Sequence, residues 1–338
     1  MRAAAVASEP AADEAAERVL GEGGTAADAV VAAFLAAAAA RPGVLLSPVQ
    51  ALFAGPGAGP RAFDGRARQP GRGLPRPRGA TKTDAVRDAA LVAVPASLGA
   101  LALLHAYGGQ VALDRLARPA LDQARASGAI ERGGVIERFA GRGPAALGDA
   151  VVARALVATA GRASGGLLSE EDLAEVRPES AAPRQGELGA SRRALVVPWP
   201  APEAPQRVTE FIAAVDAAGV MVALSYAPDD DGLAVPELGL TLCRDAVVVR
   251  RGIPRVAPGE PLPCPAPVAI GLDDHVAFIA LGIRAKTPLD VAKLGPAWSS
   301  RAAAAGKLLK AASEAASGTS ARAVLRSAET GKVQKLSV

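Results

Sequence analysis

The sequence predicts an α+β protein built around a mostly antiparallel sheet. Three observations predict it. Apolar residues at helical spacing dominate the chain before about residue 190. From Leu195 onward, short apolar segments bounded by turn residues read as strands. A helical pattern then returns over residues 288–316.

Taken in order, residues 11–40 read as two helices around a turn. Ala15, Ala16, Val19 and Leu20 sit at helical spacing, and Gly21, Gly23 and Gly24 break the chain. Thr25 can cap the second helix, with Asp28 in the acidic slot of a capping box. Residues 44–53 read as a strand region, confined near Pro48 to an edge or bulge. The Gly-, Pro- and Arg-rich stretch 55–79 reads as a long solvated loop. Its sharper alternative is an anion-binding loop, because several arginines could converge on a carboxylate or phosphate. Residues 84–126 look helical, interrupted at Val94-Pro95 and closed at Tyr107-Gly108-Gly109, with a further helix from Leu113. Gly165 to Leu173 reads as a loop followed by a capped helix start. Residues 209–215 and 220–226 form a hairpin around Asp216-Ala217-Ala218-Gly219. Strands are expected over 238–242, 246–250, 268–272 and 276–281, and a last hairpin over 321–338 around Thr330-Gly331.

Composition narrows the function classes. Half of the 338 residues are hydrophobic and 21% are charged, which excludes a disordered polyelectrolyte. Only 3% are aromatic, so Ala, Val and Leu must build the core. Lys+Arg 38 against Asp+Glu 34 leaves +4, too small an excess for a dedicated nucleic-acid binder. Two cysteines, Cys243 and Cys264, exclude a disulfide scaffold and a four-cysteine zinc site. They read as core thiols, with one disulfide between them as the alternative. Two histidines, His105 and His275, allow no His-rich cluster, so no metal and no cofactor is expected. His105 reads as a packed or surface residue, His275 as an exposed turn residue after Asp273-Asp274, and Asp229-Asp230-Asp231 as a solvated loop. The first ten residues lack a basic start and a long apolar stretch, and the apolar run 29–40 is too short to span a bilayer. The expected location is the cytoplasm, without membrane contact.

Several blocks, in order, resemble the gamma-glutamyltranspeptidase family of N-terminal-nucleophile hydrolases. Gly23-Gly24-Thr25-Ala26 and Asp28-Ala29 resemble the family's Gly-Gly-Asn-Ala turn and Asp-Ala-Ala helix. FDGRARQP, with Arg66, resembles its Gly-Arg-Glu-x-Ala-Pro segment. Val94 to Gly109, Pro119-Ala120 and Gly165 to Val176 match further blocks. Thr209 to Tyr226 has the shape of the family's small-subunit start, where Thr-Thr-His-x-Ser-Val-Val-Asp precedes a glycine turn and a second strand. Glu260-Pro261-Leu262 and Pro267 echo its Arg-Pro-Leu-Ser-Ser-Met-Ser-Pro block.

The resemblance implies a four-layer αββα sandwich in a single domain, 1–338. Residues 1–208 would be large-subunit-like and 209–338 small-subunit-like. Family members cut themselves before a threonine, whose hydroxyl then attacks a γ-glutamyl carbonyl while its own amine takes the proton. By alignment on Val215-Asp216 that threonine is Thr209. Arg66 stands where the family clamps the substrate's α-carboxylate, a task suited to the guanidinium fork. Cys264 is a lesser candidate for the pocket. The implied partner is a small γ-glutamyl-type molecule, and a protein partner stays open.

The chain also departs from the pattern. Glu210 and Phe211 replace the second threonine and the histidine, and Ala227 and Asp229 replace a supporting threonine and asparagine. Pro263 and Cys264 replace the paired serines, Leu281 to Lys286 stand where an oxyanion glycine pair belongs, and Val248 falls at the acidic position for the substrate amine. Loss of one oxyanion donor costs on the order of a hundred- to a thousandfold in rate. Two functions therefore follow: a self-processing γ-glutamyl amidohydrolase, or a catalytically degenerate member acting as a binding or scaffold protein.

Overall fold

The first layer of the structure grows from small-faced helices. The computed structural model describes residues 2–75, 79, 81, 85–187, 192–202, 207–252, 254–273, 276–290, 302–327 and 329–338. Helix α1 (Pro10–Gly21) opens on a proline, whose missing N–H would be unpaired at that position anyway. Thr25 caps α2 (Ala26–Ala40): its Oγ1 accepts the Asp28 N–H at 3.1 Å, and the Asp28 carboxylate accepts the Thr25 N–H at 3.0 Å. That is the capping box expected from the sequence. Asp28 is wholly buried and also accepts the Gln110 and Val111 N–H groups. One carboxylate thus ties the start of α2 to the loop closing α3 (Ser97–Gly108). Helix α2 is apolar around its whole circumference and buried over Ala26 to Ala39. It needs cover on every side. It receives it from the first sheet beneath and from α1, α3, α4 (Leu113–Ala126) and α5 (Ile130–Arg142) around it.

Two six-stranded antiparallel sheets form the middle. The first runs β1 (Ala4–Ala7), β7 (Glu210–Val215), β8 (Met221–Tyr226), β2 (Val49–Gly55), β3 (Ala58–Gly65), β4 (Glu179–Ala181). The second runs β14 (Val333–Ser337), β13 (Ser320–Arg326), β12 (Val276–Arg284), β11 (Val268–Asp273), β6 (Arg192–Val196), β5 (Arg184–Glu187). Alternation assigns the faces. In β7, Ile212 and Ala214 pack toward the helices, while Phe211, Ala213 and Val215 pack toward the second sheet. The second sheet turns Ala269, Ile279 and Ala323 to α8 (Ala302–Ala315), where they meet Leu308 and Leu309. Helices, sheet, sheet, helix is the four-layer αββα sandwich. Each large apolar side chain fully buried in these layers contributes about 1.5–3 kcal/mol. With few aromatics, the layers rely on many Ala, Val and Leu side chains instead.

The structure corrects several local readings. Residues 58–65 of the expected loop form strand β3, paired with β2. Gly57 supplies the positive φ of +77° that its tight turn needs, so the Gly-rich texture marked a hairpin. The strand expected from residue 44 begins at Val49, after a turn ending at Ser47-Pro48. Residues 85–91 are extended chain and a short 3-10 turn rather than helix, and 246–249 are not a strand. Strand β1, α5 and α6 (Ala150–Ala160) were not read from the sequence. The hairpin at 209–226 and the final one formed by β13 and β14 are present. Of the helix expected over 288–316, residues 291–301 lie outside the described residues, as do 76–78, 80 and 82–84 of the arginine-rich stretch and its neighbours. Among the described residues, no single helix is long and apolar enough to cross a membrane.

Candidate active site

Thr209 stands one residue ahead of β7, where it bridges to Ala285 just past β12. Its backbone N–H and its Oγ1 both donate to the Ala285 carbonyl oxygen, at 2.8 and 2.9 Å. The residue has no solvent exposure. A peptide carbonyl accepts the hydroxyl hydrogen bond but cannot take the proton, so it cannot act as the general base that nucleophilic attack requires.

The residues on either side are anchored by charge. Glu210 points to the opposite face, where its buried carboxylate accepts from Arg284 Nε at 3.0 Å and Arg41 Nη1 at 3.5 Å. Arg41 also pairs with Glu9 and Asp230. Burial alone would pull the Arg41 guanidinium down, but Asp230 and Glu9 more than offset it and leave it above its ordinary value. Arg207 donates to Asp229 at 3.2 Å and Asp245 at 2.7 Å. Asp229 is buried and also takes Arg244, so it is not the solvated loop residue that the sequence suggested. Val208 lies between these anchors in the wall of an open cleft of about 670 Å³, lined by ion pairs of alternating sign.

Arg66 shares the end of the sheet with Thr209. Glu210 pairs with Tyr226, Tyr226 with Val49, and Val49 with Gly65. One residue farther along, Thr209, Ala227, Pro48 and Arg66 therefore share a row, and Ala227 donates to the Pro48 carbonyl at 3.0 Å. Three inter-strand steps place the Thr209 and Arg66 backbones about 14 Å apart on the face toward the second sheet. One edge of the Arg66 guanidinium, however, is already filled. Its Nε and Nη2 donate to the two Asp64 oxygens at 3.0 and 2.9 Å. Asp64 also takes the Arg66 backbone N–H at 2.9 Å and Arg68 at 3.2 Å. The Trp199 ring covers the Arg66 guanidinium at 5.3 Å. Asp64 thus takes the Nε/Nη2 edge of the guanidinium and leaves the Nη1/Nη2 edge for any second carboxylate.

Cys264 and Cys243 are free, buried thiols. Burial pushes the Cys264 thiol up to about 12, with the nearby Asp245 charge adding to it, and burial likewise raises Cys243. Neither carries the lowered pKa of a nucleophilic cysteine. Phe211 packs its ring against Gly282, where a Cβ would come within 2.4 Å of it. Gly282 itself lies inside β12, paired with Val268 and Arg322. The chain beside the Thr209 hydroxyl is Arg284-Ala285-Lys286, which offers it a carbonyl acceptor where an oxyanion site needs donors. His105 is a packed residue at the end of α3, its Nε2 2.7 Å from the Val111 carbonyl oxygen. Asp274 and His275 lie outside the described residues, and among the described residues no His, Cys, Asp or Glu group could hold a metal ion.

Sequence reasoning missed Asp64 and Trp199. A signal existed for Asp64: at two residues' spacing on one strand it shares a face with Arg66. It was hidden because the segment read as loop.

No family model and no curated protein matches the sequence. Solved structures do match. The structure of LmbA2991T421A superposes with a TM-score of 0.73 at 15% identity, covering 99% of this chain and 96% of that one. Cephalosporin acylase from Bacillus halodurans gives 0.72 at 14% identity over 98% and 93%. Gamma-glutamyltranspeptidase from Pseudomonas nitroreducens, complexed with L-DON, gives 0.46 at 20% identity over 54% and 68%. The chain has the N-terminal-nucleophile hydrolase fold, in a divergent sequence.

Proposed function

We propose that this protein is a non-processing, catalytically degenerate member of the gamma-glutamyltranspeptidase group, kept as a binding protein for a small molecule. The observation that carries this reading is the pairing of both the Thr209 hydroxyl and its N–H with the Ala285 carbonyl oxygen. Self-cleavage needs Oγ1 to attack the Val208 carbonyl carbon, lose its proton to a base, and form an ester that water then opens to a Val208 carboxylate and a free Thr209 amine. Among the described residues no base faces the hydroxyl, and anchors on Arg207 and Glu210 hold the peptide from both sides. Absence of a positioned base costs about 10²–10⁴ in rate, and absence of an oxyanion donor about 10²–10³. Asp64 on the Nε/Nη2 edge of Arg66 limits α-carboxylate recognition to the remaining edge. The chain acts in this reading as one domain, 1–338. Intact mass of the purified protein under denaturing conditions tests it. One species at full mass is expected, and two fragments divided before Thr209 would overturn it.

One observation favours a second reading, a self-processing amidohydrolase acting on a γ-glutamyl or related amide. Thr209 opens β7 in the same row and on the same inward face as Arg66. In that reading the Nη1/Nη2 edge of Arg66 takes the substrate carboxylate, and the freed Thr209 amine becomes the base. The same mass measurement separates the two.

A further inference from the structure

The Pro- and Gly-rich chain beyond β3 helps to build a cavity that the Thr209 row does not use. Pro70, Leu74, Leu167, Val249 and Val256 line a space of about 290 Å³, near the lower end for small-molecule sites. Pro70 is buried and the other four are half-buried. Apolar walls left partly uncovered by their own chain favour an apolar occupant. Thr209, Arg66 and Cys264 are not in the lining.

The walls are held from behind by buried polar groups. Gln69 is 2% exposed, and its amide grips the Val247 backbone twice: Nε2 donates to the carbonyl oxygen and Oε1 accepts the N–H, each at 2.9 Å. Its backbone N–H donates to the Glu260 carbonyl oxygen at 2.9 Å, and its carbonyl accepts the Gly259 N–H at 2.8 Å. One residue thus ties down both chain runs, at 247–249 and 255–260, that flank the cavity. Asp172, 1% exposed, ties down a third, accepting the Gly71 and Arg72 N–H groups at 2.8 and 3.0 Å. Gly71, at a φ of +119°, keeps the space open. A Cβ there would lie 3.6 Å from Pro258 Cγ and 4.0 Å from Leu167 Cβ, two other lining residues. A cavity fixed in this way needs little reordering to receive a ligand.

Charge says what the ligand carries. Among the described residues, Arg255 is the one charged residue in the lining. It is exposed, which sets it at the rim, and its side chain has no hydrogen bond or ion pair with any described residue. A guanidinium with a free fork matches the two oxygens of a carboxylate. One cation at the rim of a neutral apolar cavity suits a monoanion with an apolar body. A bare anion would gain only an exposed, solvent-screened pair, which is worth little.

We propose that this cavity binds a small carboxylic acid with an apolar body, the body seated among Leu74, Leu167, Val249 and Val256 and the carboxylate paired with Arg255. This deepens the binding-protein reading above by naming the ligand's chemistry and its place, and it rests on that reading.

3-Phenylpropionate, 3-phenylpropionamide and propionate are the probes, titrated into the full-length protein by ligand-observed NMR. 3-Phenylpropionate is expected to bind saturably. The amide keeps the body and loses the charge, and is expected to bind about tenfold more weakly. Propionate keeps the charge and loses the ring, and is expected to bind at least tenfold more weakly. Arg255→Gln removes an exposed guanidinium and is expected to make acid and amide bind alike. Val256→Trp fills the cavity and is expected to abolish binding of both. Circular dichroism verifies the fold, and should Val256→Trp fail to fold, Arg255→Gln still decides. The site is overturned by no saturable binding, by an amide or a propionate that binds as tightly as 3-phenylpropionate, by folded variants that bind as the native protein does, or by a crystal grown with 3-phenylpropionate that places it elsewhere. Intact mass on the same sample keeps the two readings apart. A single chain without binding overturns this site alone, and a cleaved chain that still binds overturns the non-processing reading alone.

Discussion

At the scale of single residues, the decisive feature is the closure of buried charge at the end of the first sheet. Asp64 is the centre of that closure, wholly buried between Arg66 and Arg68. Asp64→Ala would strand two guanidinium groups in the interior, so it is expected to destabilise the protein by about 3–5 kcal/mol, read from urea unfolding. An unchanged midpoint would mean that Arg66 and Arg68 reach solvent easily and that the fork opens at little cost. Thr209 and Arg66 stood out in the sequence because their flanking blocks, Val215-Asp216 and Phe63-Asp64-Gly65, carry the resemblance. Their surroundings were not legible. The carbonyl facing Thr209 belongs to Ala285, 76 residues away, and the carboxyl group in the Arg66 fork becomes its strand neighbour only once residues 58–65 form β3. Contacts of this kind depend on pairing register, which a linear pattern does not carry.

At the scale of elements, the site is shaped by β7 and β12 approaching across the two sheets. Phe211 on β7 fills the space that Gly282 on β12 leaves. Gly282→Ala is therefore expected to cost about 1–3 kcal/mol through overpacking. In a Phe211→Ala background most of that penalty should vanish, so a double-mutant cycle should give a coupling well above 0.5 kcal/mol. Additive effects would show that the two sheets do not press together here. Elements with a local signal were the ones the sequence yielded. The Thr25 capping box and the Asp216 to Gly219 turn are spelled out in consecutive residues. Strand β1 was missed because four small apolar residues, Ala4 to Ala7, look the same in any conformation. Segment 246–250 was over-read because an apolar run also suits a partly exposed irregular segment, where Ala246 donates to the Leu91 carbonyl and Val247 to Gln69.

At the scale of the whole molecule, stability couples to alkaline pH through the two buried thiols. Folding raises Cys264 from 9.0 to about 12 and raises Cys243 as well. Below pH 9 both states keep these protons and the contribution is complete. As pH rises above 9 the unfolded chain releases them first, so stability falls, by about 1.4 kcal/mol per pH unit for each thiol, until the folded thiols also ionise. Urea midpoints measured from pH 8 to 11 should decline, and Cys264→Ala should flatten the decline. A flat profile in the native protein would mean that the thiols reach water. The order of strands in the sheets has a consequence of another kind. In the first sheet β7 and β8 sit between β1 and β2, and in the second β5 and β6 join strands that come after residue 208. Each half of the sequence is thus woven through both sheets. Breaking the backbone at residue 208 would release no piece, and the two lengths of chain would stay entwined until the whole sandwich came apart. The point of chain entry into the fold is for the same reason free to move: a circular permutant that begins at Thr209 would inherit every layer, every pairing and every register of the parent.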